Sequence, residues 1–232
     1  MARRAQTIIA WIVGIIAFVV AQQTVIALRS AGREKDPIER AMIAAINARD
    51  LMPELERRVS TLSTREQGVE FGMRLSIRGV ARLPASALRA RAELILKMMG
   101  NASLDVCARW SLGTPSKSEM SDLIRSLDQA SLVRWAAMSA QAMEAELHNT
   151  PPRFQPSEQD IETAFVNMND HLPPEDQDRF RQLAESADDF QAVDACWFGR
   201  SLLRGALSAT QFDEGHALKV LAGLEAEPRD NM

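Results

Sequence analysis

Two cysteines, three histidines and a run of evenly spaced arginines are the side chains through which this 232-residue chain could do chemistry. Cys107 and Cys196 are its only cysteines. In an oxidising compartment a single pair of this kind points to one disulfide. Closing a loop of about ninety residues, it would contribute roughly 4–5 kcal/mol in the chain-entropy picture. In a reducing compartment the same residues read as two buried thiols, each near a tryptophan in the chain, Trp110 and Trp197. The compartment therefore decides their role.

Arg74, Arg78 and Arg82 recur every four residues, a spacing that places them on one face of a helix. Such a stripe is either a solvated face or a patch for an acidic surface, whether of a protein partner or of the chain's own C-terminal half. No aromatic residues interleave with it and no nucleic-acid fold accompanies it, so nucleic acid is not an expected partner. His148, His171 and His216 stand apart from one another and form no His-Glu-x-x-His zinc pattern. Carboxylates are dense at Glu158, Asp160 and Glu162, and again at Glu175, Asp176 and Asp178. These fall in first helical turns, where the helix dipole favours negative charge, so capping accounts for them better than acid–base work. Phosphate-cradling loops, nucleophile elbows and calcium loops are missing from the sequence. No catalytic residue, cofactor or metal ligand is therefore assigned, and the chain reads as a non-enzyme. Asn101-Ala102-Ser103 matches a glycosylation sequon, a pattern expected once by chance in a chain this long.

The compartment question turns on "TIIAWIVGIIAFVVAQQTVIAL", Thr7 to Leu28, which carries no charge and follows the basic tail 1–6. As a helix it would measure roughly 33 Å at about 1.5 Å per residue, enough to cross a hydrocarbon core of about 30 Å. A signal peptide cleaved after Val19-Val20-Ala21 is the rival reading. The apolar run resumes at Val25-Ile26-Ala27-Leu28, however, which a soluble mature terminus does not need. The expectation is a single-pass signal-anchor in a bacterial inner membrane. Arg3 and Arg4 before the run favour a cytoplasmic N-terminus and a periplasmic body. Arg29, Arg33, Lys35 and Arg40 behind it keep the reverse orientation open.

The elements beyond the run read as helices throughout. Tyrosine is absent, alternating β patterns are missing, and Ala, Leu, Met, Arg, Glu and Gln are abundant. The expected fold class is all-α: a transmembrane helix followed by a multi-helix bundle. Asp36-Pro37 with Glu39 starts a helix that runs to about Asp50, ahead of Pro53. A short helix follows over Glu54–Leu62, and Ser63-Thr64-Arg65-Glu66 opens another with Val69, Met73, Ile77 and Val80 as its apolar stripe. Leu83-Pro84 begins a helix with Leu88, Ala92, Ile95 and Met99 inward, ending at Gly100-Asn101. The longest soluble helix is expected from Lys117 to about Leu147, with Met120, Ile124, Leu127, Ser131, Arg134 or Trp135, Met138 and Ala142 along one core seam. "HNTPPRFQPS", His148–Ser157, is the expected linker. Further helices are expected over Glu158–Asp170, Pro174–Ala187, Phe190–Arg204 and Gln211–Gly223, the last capped by Thr210.

This divides the chain into a tail 1–6, an anchor 7–28, a membrane-proximal region 29–147, a linker 148–157, an acidic region 158–224 and a polar tail 225–232. The charge is uneven: residues 41–143 carry fourteen basic and ten acidic groups, whereas 144–232 carry seven and eighteen. Such asymmetry suggests an oppositely charged surface as partner. An internal repeat is also visible, "LPASALRARAELILKMMGNASLDVC" from Leu83 to Cys107 against "LPPEDQDRFRQLAESADDFQAVDAC" from Leu172 to Cys196. Both segments start a helix at Leu-Pro and end on a cysteine. Two duplicated helical hairpins around an approximate twofold axis would make those cysteines neighbours.

The functional expectation is a membrane-anchored interaction protein, a scaffold or accessory subunit of an envelope membrane complex, with the Cys107–Cys196 staple and the Arg74/Arg78/Arg82 patch as its residues of interest. Two alternatives stay open. One is an envelope hydrolase or transferase built from dispersed carboxylates; the other is a cytoplasm-facing tethered regulator with reduced cysteines.

Overall fold

Local capping decides where several of the helices begin. The computed structural model describes residues 36–60, 62, 65–185 and 190–226, and among these it has eleven α-helices and no strand. The tail 1–6, the uncharged run 7–28, residues 29–35, Ser63-Thr64 and residues 227–232 lie outside the described residues. No helix among the described residues is long and apolar enough to cross a membrane.

α1 (Pro37–Asn47) starts as the sequence indicates: the Asp36 carboxylate accepts from the Ile38 amide at 2.8 Å, with proline in the first turn. α2 covers Met52–Val59 and α3 covers Arg65–Val80. α4 (Ala85–Asn101) follows Leu83-Pro84 and buries Leu88, Ala92, Ile95 and Met99, the expected inward stripe. α5 (Leu104–Ser111) was not anticipated as a helix; the Ser103 hydroxyl accepts from Val106 N and starts it.

The long helix expected over Lys117–Leu147 is two helices, α6 (Lys117–Arg125) and α7 (Gln129–Leu147). Asp128 breaks it by capping α7, its carboxylate accepting from Ser131 N at 2.9 Å and from the Ser131 hydroxyl at 3.0 Å. The apolar spacing continues across the break, since Met120, Ile124, Leu127, Trp135, Met138 and Ala142 are all buried. Periodicity alone therefore hides the interruption. α8 (Glu158–Asp170) has the full reciprocal capping box between Ser157 and Asp160. α9 (Pro174–Glu185) and α10 (Ala192–Ala209) follow. α11 spans His216–Ala226 rather than Gln211–Gly223, because Asp213 and not Thr210 caps it, accepting from Gly215 N and Ala217 N at 2.9 Å each.

The described residues form two compact units. A cysteine-free unit joins 36–83 to Lys117–Arg153 and holds α1, α2, α3, α6 and α7. A cysteine-bearing unit joins Pro84–Ser116 to 154–226 and holds α4, α5 and α8 to α11. The region 29–147 thus contributes to both, and the chain makes its last passage between them after Arg153, inside the proline-rich segment.

In the cysteine-free unit α7 packs on α3 and α1. Ile38, Met42 and Ile46 of α1, four apart, are fully buried. α3 approaches α7 closely because Gly79 has no side chain; a methyl there would fall inside contact distance of the Ala142 carbonyl. In the cysteine-bearing unit α10 is the hub, touching α4, α5, α8, α9 and α11. Gly205 plays the corresponding part where α10 meets α8, since a methyl would lie 2.5 Å from Met168 O. Phe198 of α10 stacks on Phe180 of α9 with centroids 4.9 Å apart. α11 is apolar nearly all round and is buried from Ala217 to Ala226 except at Lys219. The expected polar tail therefore begins too early: Glu225 and Ala226 belong to this buried helix.

Candidate functional site

α5 and α10 are the helices that present the two cysteines, and they make the most extensive helix contact in their unit. Cys107 lies one turn into α5 and Cys196 one turn into α10, which brings their Cα atoms to 5.1 Å and lets the sulfurs bond. Cys107 is 1% exposed and Cys196 7%. Trp110, one turn beyond Cys107, is buried as well, and one turn beyond Cys196 the bare Gly199 admits the Ser111 hydroxyl and the Met99 methyl. On the outer side, the Arg179 guanidinium lies 4.3 Å above the Trp197 ring and donates to Asp194 at 2.8 Å.

The arginine stripe does not form one surface. Arg74 is exposed, Arg78 half-buried and Arg82 buried at 7% exposure. The reason is that α3 ends at Val80, so Arg82 lies in the turn beyond the helix and leaves the helical spacing. Its guanidinium serves three acceptors: Nε donates to Glu146 Oε2 at 2.6 Å, Nη1 to the Pro151 carbonyl at 2.7 Å, and Nη2 to Asn149 Oδ1. Arg153 supplies a second cation to the same carboxylate, Nη2 to Oε1 at 2.6 Å, and its Nε donates to Arg78 O. Arg49, in the turn that follows α1, pairs with Glu144. The C-terminal end of α7 is thus an acidic anchor for three arginines. Arg82 pins the 149–151 turn, in which Asn149 is left-handed at φ 53° and Thr150–Pro151 is cis.

Of the two acidic clusters, one member, Asp160, makes a helix-capping contact. Asp160 accepts from the Ser157 hydroxyl and amide, and these bonds, with a smaller contribution from His216 at 3.7 Å, hold its carboxyl below the ordinary range. Hydrogen bonds from Arg57 and Arg58 likewise lower Glu54. Glu158 belongs to the first turn of α8 and Glu175 and Asp176 to that of α9, with Glu162 and Asp178 exposed further along. His171 closes α8, its Nδ1 2.7 Å from Asn167 O and its ring 4.5 Å from that of Phe212. His148 closes α7 and is exposed. No group of three His, Cys, Asp or Glu side chains arranged to hold a metal occurs among the described residues.

Among the internal ion pairs that sequence reasoning missed, one is deeply buried. Arg91 of α4 donates to Glu225 of α11 at 2.6 Å, with the Glu225 side chain fully buried. The partners are 134 residues apart, and no local pattern announces them. No protein-family model, curated protein or solved structure matches the chain.

Proposed function

We propose that this protein is a membrane-tethered interaction protein of the bacterial envelope, a scaffold or accessory subunit whose helical body faces the periplasm and acts by protein–protein contact. Residues 7–28 are the anchor and the N-terminus is cytoplasmic. The observation that carries the reading is the bonded Cys107–Cys196 pair taken together with that uncharged run, since stable disulfides belong to oxidising compartments.

Within this reading Arg74 and Arg78 of α3 form the contact for an acidic surface; Arg82 serves the interior. The duplication reading is supported by the cysteines, each placed one turn into the second helix of its repeat. It extends no further than those helix pairs, because α3 and α8, the helices upstream, belong to different units.

Protease treatment of intact spheroplasts tests the topology. The body is digested from outside in the proposed orientation, whereas protection of the body until the membrane is broken overturns it. For the contact, Arg74→Glu/Arg78→Glu should lower recovery of cross-linked partner while leaving the thermal unfolding of the body unchanged. Undiminished recovery removes Arg74 and Arg78 from the contact.

A further inference from the structure

The cysteine-bearing unit is discontinuous: Pro84–Ser116 and 154–226 are separated by Lys117–Arg153, which builds the other unit. Its first piece is the α4–α5 hairpin. α5 has eight residues, too few to be stable as a helix by itself. Its buried positions are Cys107, Ala108, Trp110 and Ser111, and the helix it packs on is α10. Across that contact the disulfide is the one covalent tie that does not run through the other unit. The chain has no other cysteine, so the cysteine-free unit has no thiol chemistry of its own.

We propose that Cys107–Cys196 is an assembly latch closed by an external disulfide: the dithiol chain folds its cysteine-free unit but leaves the α4–α5 hairpin loosely docked, and oxidation locks the hairpin onto α10. The partner this assigns is a thiol–disulfide exchange donor. One cysteine thiolate attacks a sulfur of the external disulfide, whose S–S bond breaks and releases the first thiol. The second cysteine thiolate then attacks the protein sulfur of that mixed disulfide and releases the second thiol. Two electrons pass from the cysteine pair to the donor, and the two cysteine protons end on the leaving thiols. Both sulfurs are buried once α5 is docked. Exchange therefore takes place while the hairpin is open, and the closed bond is shielded from reductants afterwards.

The latch rests on the proposed periplasmic placement for its source of oxidant, yet it is tested on the purified full-length chain, where topology plays no part. The chain is reduced, denatured and refolded in detergent, either with oxidised glutathione or with excess reductant, and amide hydrogen exchange is read segment by segment. The expected result is exchange at least about tenfold faster in 85–101, 104–111 and 192–209 of the reduced chain, with helices of the cysteine-free unit within about twofold of the oxidised chain. Cys107→Ser/Cys196→Ser should match the reduced chain whether or not oxidised glutathione is present. Equal protection in both redox states overturns the latch, and so does equal loss of protection in the two units or complete failure of the dithiol chain to fold. A body found inside the cell would refute the placement while leaving this result standing.

Discussion

Arg82→Ala should unfold the cysteine-free unit far more readily than any change to the exposed part of the same stripe. The substitution removes a guanidinium that is 7% exposed and leaves three acceptors short of a donor, one of them the Glu146 carboxylate with 13% of its side chain exposed. A hydrogen bond to a charged group contributes about 1.5–3 kcal/mol, and breaking a buried pair from one side costs about 3–5 kcal/mol. Two features reduce the loss: Arg153 still holds Glu146, and Asn149 is exposed enough to turn to water. The expected loss is therefore about 3 kcal/mol. For a unit of fewer than 100 residues this lowers the melting temperature by on the order of 15 °C. Arg82→Lys keeps the charge, but one ammonium cannot match the fork that reaches Glu146, Pro151 and Asn149, so it should recover less than half of the loss. Urea titrations followed by circular dichroism measure all three, with Arg74→Ala as the exposed reference expected to stay within about 0.5 kcal/mol of wild type. An Arg82→Ala midpoint indistinguishable from that of Arg74→Ala would refute the interior role given to this arginine.

The close helix approaches should be intolerant of a single methyl: Gly79→Ala and Gly205→Ala each force backbone carbonyls apart and should lose about 2–3 kcal/mol or more in urea unfolding, one in each unit. Arg91→Met removes the cation paired with a fully buried carboxylate and should lose about 3–5 kcal/mol, whereas Arg91→Met/Glu225→Leu should recover most of it; a double variant no better than the single would show that the pair itself stabilises. Asp160 supplies a pH test. Its folded carboxyl is held below the ordinary value of 3.8, so its contribution is present above that value and disappears as pH falls through the lower folded value. The gap in urea midpoint between wild type and Asp160→Ala should thus be present at pH 5 and narrow below about pH 4; a gap unchanged at pH 2.5 would exclude the charged capping interaction as its source.

Much of the helix layout was legible because capping is local. Asp36-Pro37 marks a helix start through a contact spanning two residues and Leu83-Pro84 through the fixed φ of its proline, and the structure has helices at both. Core stripes were legible for the same reason, since a helix repeats its faces every 3.6 residues. Asp128 escaped notice because a cap inside an uninterrupted apolar period gives no signal in that period. Of the candidate residues, the cysteines were readable as a pair because two cysteines allow one intramolecular pairing. Arg82 was misread because helical spacing was carried two residues past the end of α3.

Composition, caps and apolar spacing by themselves determined that the chain folds as helices, where most of those helices start, and which of their faces turn inward, because each follows from neighbours within a turn or two. Tertiary structure alone decided that Arg82 is buried against Glu146, that Glu225 closes a pair with Arg91, and that Pro84–Ser116 joins 154–226 across an intervening unit. Those contacts link residues 64 and 134 positions apart. What selects them is the desolvation of charges and the fit of distant surfaces, and neither is written in any short stretch of chain.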